Sequence, residues 1–115
     1  MKILVIVNES PWGSSLGVTA LRLVRAMVAG GEPVKAVFFR EDGVYHAVPG
    51  RAVDSGTPCL CGAWQSMART QGIPMLLCSS AAQRRLEKSP VEGFREAGLA
   101  EVMELMALSD RVVTF

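Results

Sequence analysis

The chain has 115 residues, of which half are hydrophobic, and 12 Lys and Arg stand against 11 Asp and Glu for a formal net charge of +1. That apolar share, in a chain long enough to bury a core, excludes intrinsic disorder and predicts one domain over residues 1–115 that needs no disulfide or structural metal. Scattered, balanced charge lacks the basic stripe of a direct nucleic-acid binder, and the N-terminal apolar run Ile3 to Val7 is too short for a signal-peptide core or a membrane span, so a cytoplasmic protein is expected.

Ile3 to Val7 reads as a strand covered on both faces, bounded by the turn cluster Asn8-Glu9-Ser10-Pro11. From about Ser14 the period becomes helical, with Leu21, Val24, Met27 and Val28 on one side, and the helix stops at Gly30-Gly31. Val34 to Phe39 is a second strand, followed by a long loop from Arg40 to Gly56. Thr57-Pro58 is a cap-and-proline signal for a helix running to Gln71 with Leu60, Trp64, Met67 and Ala68 inward. Met75-Leu76-Leu77 is a third strand ending at Cys78, and Ser79-Ser80 cap a short helix through Ala81, Ala82, Gln83, Arg84 and Arg85, closed by Ser89-Pro90. Val91 to Gly98 fits no single period. Leu99, Val102, Met103 and Met106 mark a last helix, and Arg111 to Phe115 a last strand. Met27, Met67, Met103 and Met106 are expected to fill the core.

Alternating strands and helices predict an α/β fold, a mostly parallel sheet with helices on both faces in a flavodoxin-like three-layer arrangement. Chemistry in such folds lies beyond the carboxyl ends of the strands, which selects the loop Asn8 to Ser15, the loop Arg40 to Gly56, and the turn at Cys78.

Cys78 is the sharpest candidate. It leaves a buried strand and enters the first turn of a helix, where free backbone N–H groups and the helix dipole favour a thiolate, the nucleophilic form of sulfur. Arg84 and Arg85, one to two turns on, add positive potential. The plainer reading is a small hydrophobe ending a strand. Cys59 and Cys61 form a Cys-x-Cys pair, but two helical positions correspond to about 200° of rotation, so the thiols diverge. Cys61 is expected to pack and Cys59 to be exposed in the first turn; with one histidine in the chain a zinc site would be incomplete. His46 is read as a solvated loop residue without an assignable partner, not as a general base. Gly13-Ser14-Ser15, leading into a helix, matches neither a P-loop nor a dinucleotide fingerprint, and capping explains its serines.

Taken together, the aliphatic first strand with its loop, Val37-Phe38-Phe39-Arg40-Glu41-Asp42-Gly43-Val44-Tyr45, Ala63-Trp64-Gln65, Leu77-Cys78-Ser79-Ser80-Ala81-Ala82-Gln83-Arg84-Arg85, and Ser109-Asp110-Arg111-Val112-Val113 give a chain that resembles the DsrE/TusD family of sulfur-relay proteins over nearly its whole length. The resemblance implies a DsrE-like fold and a sulfurtransferase subunit that accepts a persulfide sulfur on Cys78 from a small sulfur carrier protein and relays it to a thiol acceptor protein. The relay would serve tRNA 2-thiouridine synthesis or intracellular sulfur oxidation, with no metal and no organic cofactor, within a homo- or hetero-oligomer of related subunits. Cys59 and Cys61 match no motif of that family, and the chain is short between Arg85 and Gly98, where relatives often carry a longer stretch. Two other readings stand beside this one: a non-catalytic structural subunit of such an assembly, and a flavodoxin-like nucleotide or flavin module using Gly13-Ser14-Ser15.

Overall fold

The structure is a computed structural model that describes residues 1–12, 15–49 and 60–115. Five parallel strands, β1 (Ile3–Val7), β2 (Val34–Phe39), β3 (Met75–Cys78), β4 (Phe94–Ala97) and β5 (Arg111–Thr114), form one sheet in the order β4-β3-β2-β1-β5. Among the described residues four α-helices connect them: α1 (Leu16–Ala29), α2 (Leu60–Gln71), α3 (Ser79–Arg85) and α4 (Leu99–Leu108). A positive φ at Gly31 and at Gly72, of 79° and 66°, turns the chain out of α1 and α2, a conformation that costs glycine nothing.

Successive strands β1 to β4 are laid down in one direction across the sheet, so right-handed crossovers put α1, α2 and α3 on one face. The chain then reverses to place β5 beyond β1, and the same handedness carries α4 to the opposite face. The larger core therefore lies under three helices, where Val5, Val7, Val37, Phe39, Met75 and Leu77 meet Leu21, Val24, Trp64 and Ala81. The alternate strand residues Leu4, Ile6, Ala36, Phe38 and Leu76 pack under Val102 of α4.

Three expectations need correction. The segment Val91 to Gly98 contains a fifth strand, β4, whose middle residues Arg95 and Glu96 are exposed because it is an edge strand; its two buried residues, Phe94 and Ala97, are too few to show a period. The expected long loop holds a seven-residue 3-10 helix, Glu41–Ala47, with Val44, His46 and Ala47 buried. Met67 is buried and Met27 packs against the core, but Met103 and Met106 are 59% and 44% exposed, because only the Val102 side of α4 meets the sheet. The Thr57-Pro58 cap, Cys59, the Gly13-Ser14 pair and the loop from Gly50 to Gly56 lie outside the described residues.

Candidate functional site

The parallel register fixes which residues leave the sheet together. Val7 pairs with Phe39 and Phe39 with Leu77, so Asn8, Arg40 and Cys78 follow at the same level on three adjacent strands, each about 4.8 Å from the next. Cys78 also pairs with Ala97 of β4. This row is the carboxyl edge of the sheet, where the sequence places chemistry.

Cys78 is both the last residue of β3 and the N-cap of α3, with φ −58° and ψ 118°. Its thiol is free and partly exposed, and it packs against both apolar layers from the rim of the sheet. No side chain caps α3, so the first-turn N–H groups beside the sulfur are the local donors available to negative charge. Ala81 and Ala82 bury the other side of the helix, and their small size lets α3 lie close to the sheet.

The arginines do not meet expectation equally. Arg85 is committed to two carboxylates of the 3-10 helix, with Nε 3.1 Å from Asp42 Oδ1 and Nη2 3.2 Å from Glu41 Oε2. Its charge is therefore balanced locally and ties α3 to the 3-10 helix. Arg84 folds back one turn, its Nε donating to the Ser80 carbonyl at 3.3 Å. Glu41 has a φ of +51°, a left-handed conformation that costs a non-glycine residue of order 1 kcal/mol. It is held between Arg40 and Arg85, which carries that strain next to the site.

His46 is not a solvated loop residue. It is fully buried, its Nδ1 accepts from Trp64 Nε1 at 3.1 Å, and its Nε2 lies 3.1 Å from the Glu9 carbonyl. A carbonyl only accepts, so Nε2 carries the proton and the ring is neutral. Burial pushes its pKa down to about 4, against the smaller opposing effect of the Glu9 hydrogen bond. Phe39 packs 5.2 Å from the His46 ring and 5.3 Å from Trp64. Gly17 of α1 lies so close that a Cβ there would come within 2.6 Å of His46 Cε1. His46 thus fastens the β1 loop, the start of α1, the 3-10 helix and α2 beneath the carboxyl edge. It is an anchor, and nothing in its geometry offers its nitrogens to Cys78.

Cys61 is buried in α2, as its helical position predicts. Among the described residues no group of three or more His, Cys, Asp or Glu could hold a metal ion. A cavity of about 590 Å³ opens between the 3-10 helix and the segment after α3, with Trp12 and Tyr45, 5.6 Å apart, on one wall. It adjoins Arg85, at the end of α3 roughly 10 Å from the start where Cys78 sits. Among the described residues no helix is long and apolar enough to cross a membrane.

The sequence model of the DsrE/DsrF-like family matches residues 1–115. A protein of Vibrio vulnificus (strain YJ016) named sulfurtransferase TusD homolog is 30% identical, with 100% of this chain and 98% of that one covered. A TusD homolog of Pasteurella multocida (strain Pm70) is 32% identical with 98% of each chain covered, and the sulfurtransferase TusD of Enterobacter sp. (strain 638) is 28% identical over both full lengths. The crystal structure of the ychN protein from E. coli superposes with a TM-score of 0.87 over 100% of this chain and 99% of that one at 23% identity, a likeness of fold.

Proposed function

Because the chain belongs to the DsrE/DsrF-like family, we propose that it is a sulfurtransferase subunit in which Cys78 accepts a persulfide sulfur and passes it on. The observation that carries this reading is the position of Cys78: a free, partly exposed thiol at a strand end, over uncapped helix N–H groups, in a chain whose full-length relatives are named sulfurtransferases. The Cys78 thiolate attacks the terminal sulfur of a donor persulfide, R–S–SH. The donor S–S bond breaks, the donor leaves as a thiolate, and Cys78–S–SH is formed. An acceptor thiolate then attacks that terminal sulfur and releases the Cys78 thiolate, so each step exchanges one S–S bond for another and calls for no outside oxidant, metal or organic cofactor. Apolar layers on both sides of the sulfur limit its oxidation, while its place on the rim leaves it open to a partner protein.

The donor is a small sulfur carrier protein and the acceptor a thiol protein, in a cytoplasm that keeps thiols reduced. The chain works as one relay domain in an assembly of related subunits, in tRNA 2-thiouridine synthesis or in intracellular sulfur oxidation. The test is intact-mass analysis after incubation with a persulfide-charged carrier. One added sulfur atom that dithiothreitol removes is expected on the wild-type chain and none on Cys78→Ser. No added sulfur on the wild type, or sulfur retained by the variant, overturns the reading.

A further inference from the structure

Helix α3 is seven residues long, and its buried residues are Ala81 and Ala82. Two methyl groups give a helix little to interdigitate with, so packing brings α3 close to the sheet without fixing its direction. Its start is set by β3, where Cys78 pairs with Ala97. Its far end is set by Arg85, with Nε 3.1 Å from Asp42 Oδ1 and Nη2 3.2 Å from Glu41 Oε2. Between the two, Gln83 Nε2 reaches Glu96 Oε1 of β4 at 3.3 Å on the exposed side.

The 3-10 helix that carries both carboxylates is seated on β1. Arg40 N–H donates to the Val7 carbonyl at 3.0 Å and Gly43 N–H to the Arg40 carbonyl at 2.8 Å, while a Cβ on Gly43 would meet the Val7 oxygen at 2.1 Å. Glu41 presents its carboxylate from a φ of +51°, a conformation that glycine adopts freely and glutamate does not. Strain of that kind persists where the surroundings over-determine it, and it gathers beside functional sites. A continuous path therefore runs from β1 through Gly43, Glu41 and Asp42 to Arg85, and along α3 to Cys78.

From these contacts we infer that Glu41, Asp42 and Arg85 are positioning residues for the Cys78 thiol: they hold α3 at a fixed angle, with its first turn beside the sulfur, and touch no reacting atom themselves. The inference rests on the relay reading in taking Cys78 as the reacting group. The competing role, Arg85 as a cation that favours the thiolate directly, needs a free charge, and two carboxylates balance this one. The two roles differ in sign. Removing both carboxylates speeds the thiol if the charge acts directly and slows it if the carboxylates act by holding α3.

The test is the rate at which iodoacetamide alkylates Cys78 at neutral pH, read by peptide mass so that Cys59 and Cys61 do not contribute, in wild type, Arg85→Met, Arg85→Lys and the double variant Glu41→Gly with Asp42→Asn. The double variant loses the ion pairs but also relieves the backbone strain, so its melting temperature is expected near that of wild type while Cys78 slows by about threefold. Arg85→Met is expected to slow it by a similar factor, and Arg85→Lys, which keeps the charge and can reach one carboxylate, to fall between. A double variant that reacts faster than wild type, rates unchanged in both the double variant and Arg85→Met, or a slowing seen only where the melting temperature falls each overturns the inference. Should the variants fail to fold, amide exchange of the wild type in rising potassium chloride decides, because salt weakens exposed ion pairs: faster exchange in α3 with β3 unchanged supports the clamp, and unchanged exchange in α3 overturns it. Persulfide loading of the same samples keeps the two proposals apart. No sulfur on a wild type whose alkylation follows the clamp ends the relay reading alone, and loading with unchanged alkylation rates ends the clamp alone.

Discussion

Neutral His46 serves two partners that its charged form cannot both serve. Protonation would put an N–H on Nδ1 facing the Trp64 N–H, at a fully buried position where two donors would meet. The ring's pKa lies near 4 in the fold and near 6.5 in the unfolded chain, so above pH 6.5 both states are neutral and the group adds no pH dependence. As pH falls from about 6.5 to about 4 the unfolded chain takes up a proton that the fold refuses, and stability drops by about 3 kcal/mol across that window. His46→Gln offers an amide N–H to Glu9 and an oxygen to Trp64 without titrating. Urea unfolding of wild type and variant is expected to diverge at neutral pH by the cost of the imperfect replacement and to converge as the solution is acidified toward pH 4; parallel curves would show that His46 does not titrate in this window. Trp64 and Glu9 lie 18 and 37 residues from His46 along the chain. No local pattern announces such partners, which is why a lone histidine after a strand reads as solvated.

The 3-10 helix owes its place to one glycine. A Cβ on Gly43 would stand 2.1 Å from the Val7 carbonyl oxygen and 2.9 Å from its carbon, both backbone atoms of the most buried strand. Neither can move without disturbing the sheet, so Gly43→Ala should cost about 2–3 kcal/mol in denaturant unfolding. It should also weaken the Arg85 contacts, because Glu41 and Asp42 ride on the same turn; a variant as stable as wild type would show that the turn can lift off β1. Helix-period and strand-period segments of useful length were legible as α1, α2, β1, β2 and β3, and the Ser79-Ser80 start of α3 as well. The 3-10 helix and β4 were not. A 3-10 turn repeats every three residues over too short a span to show amphipathicity, and a four-residue edge strand with two charges in its middle looks like a loop.

Among the described residues three helices cover one face of the sheet and one covers the other, so the two layers do not share load equally. Val102 is the buried contact of α4, and its truncation in Val102→Ala removes about 2 kcal/mol of burial that no second helix can compensate. A loss well under about 1 kcal/mol would mean that the face is held by the sheet itself.

Local order in the chain was enough to establish the α/β alternation, the parallel sheet and the position of Cys78 at its carboxyl edge. Those features follow from period, turn residues and the handedness of crossovers, all of which act between near neighbours. Tertiary structure decided what each side chain at that edge is free to do. Arg85 is neutralised by carboxylates 43 and 44 residues away, and His46 is an anchor instead of a base. Met103 and Met106 face outward because one helix must cover a face on its own. Contacts between distant segments exist only once strand order is set, and strand order is a property of the folded sheet.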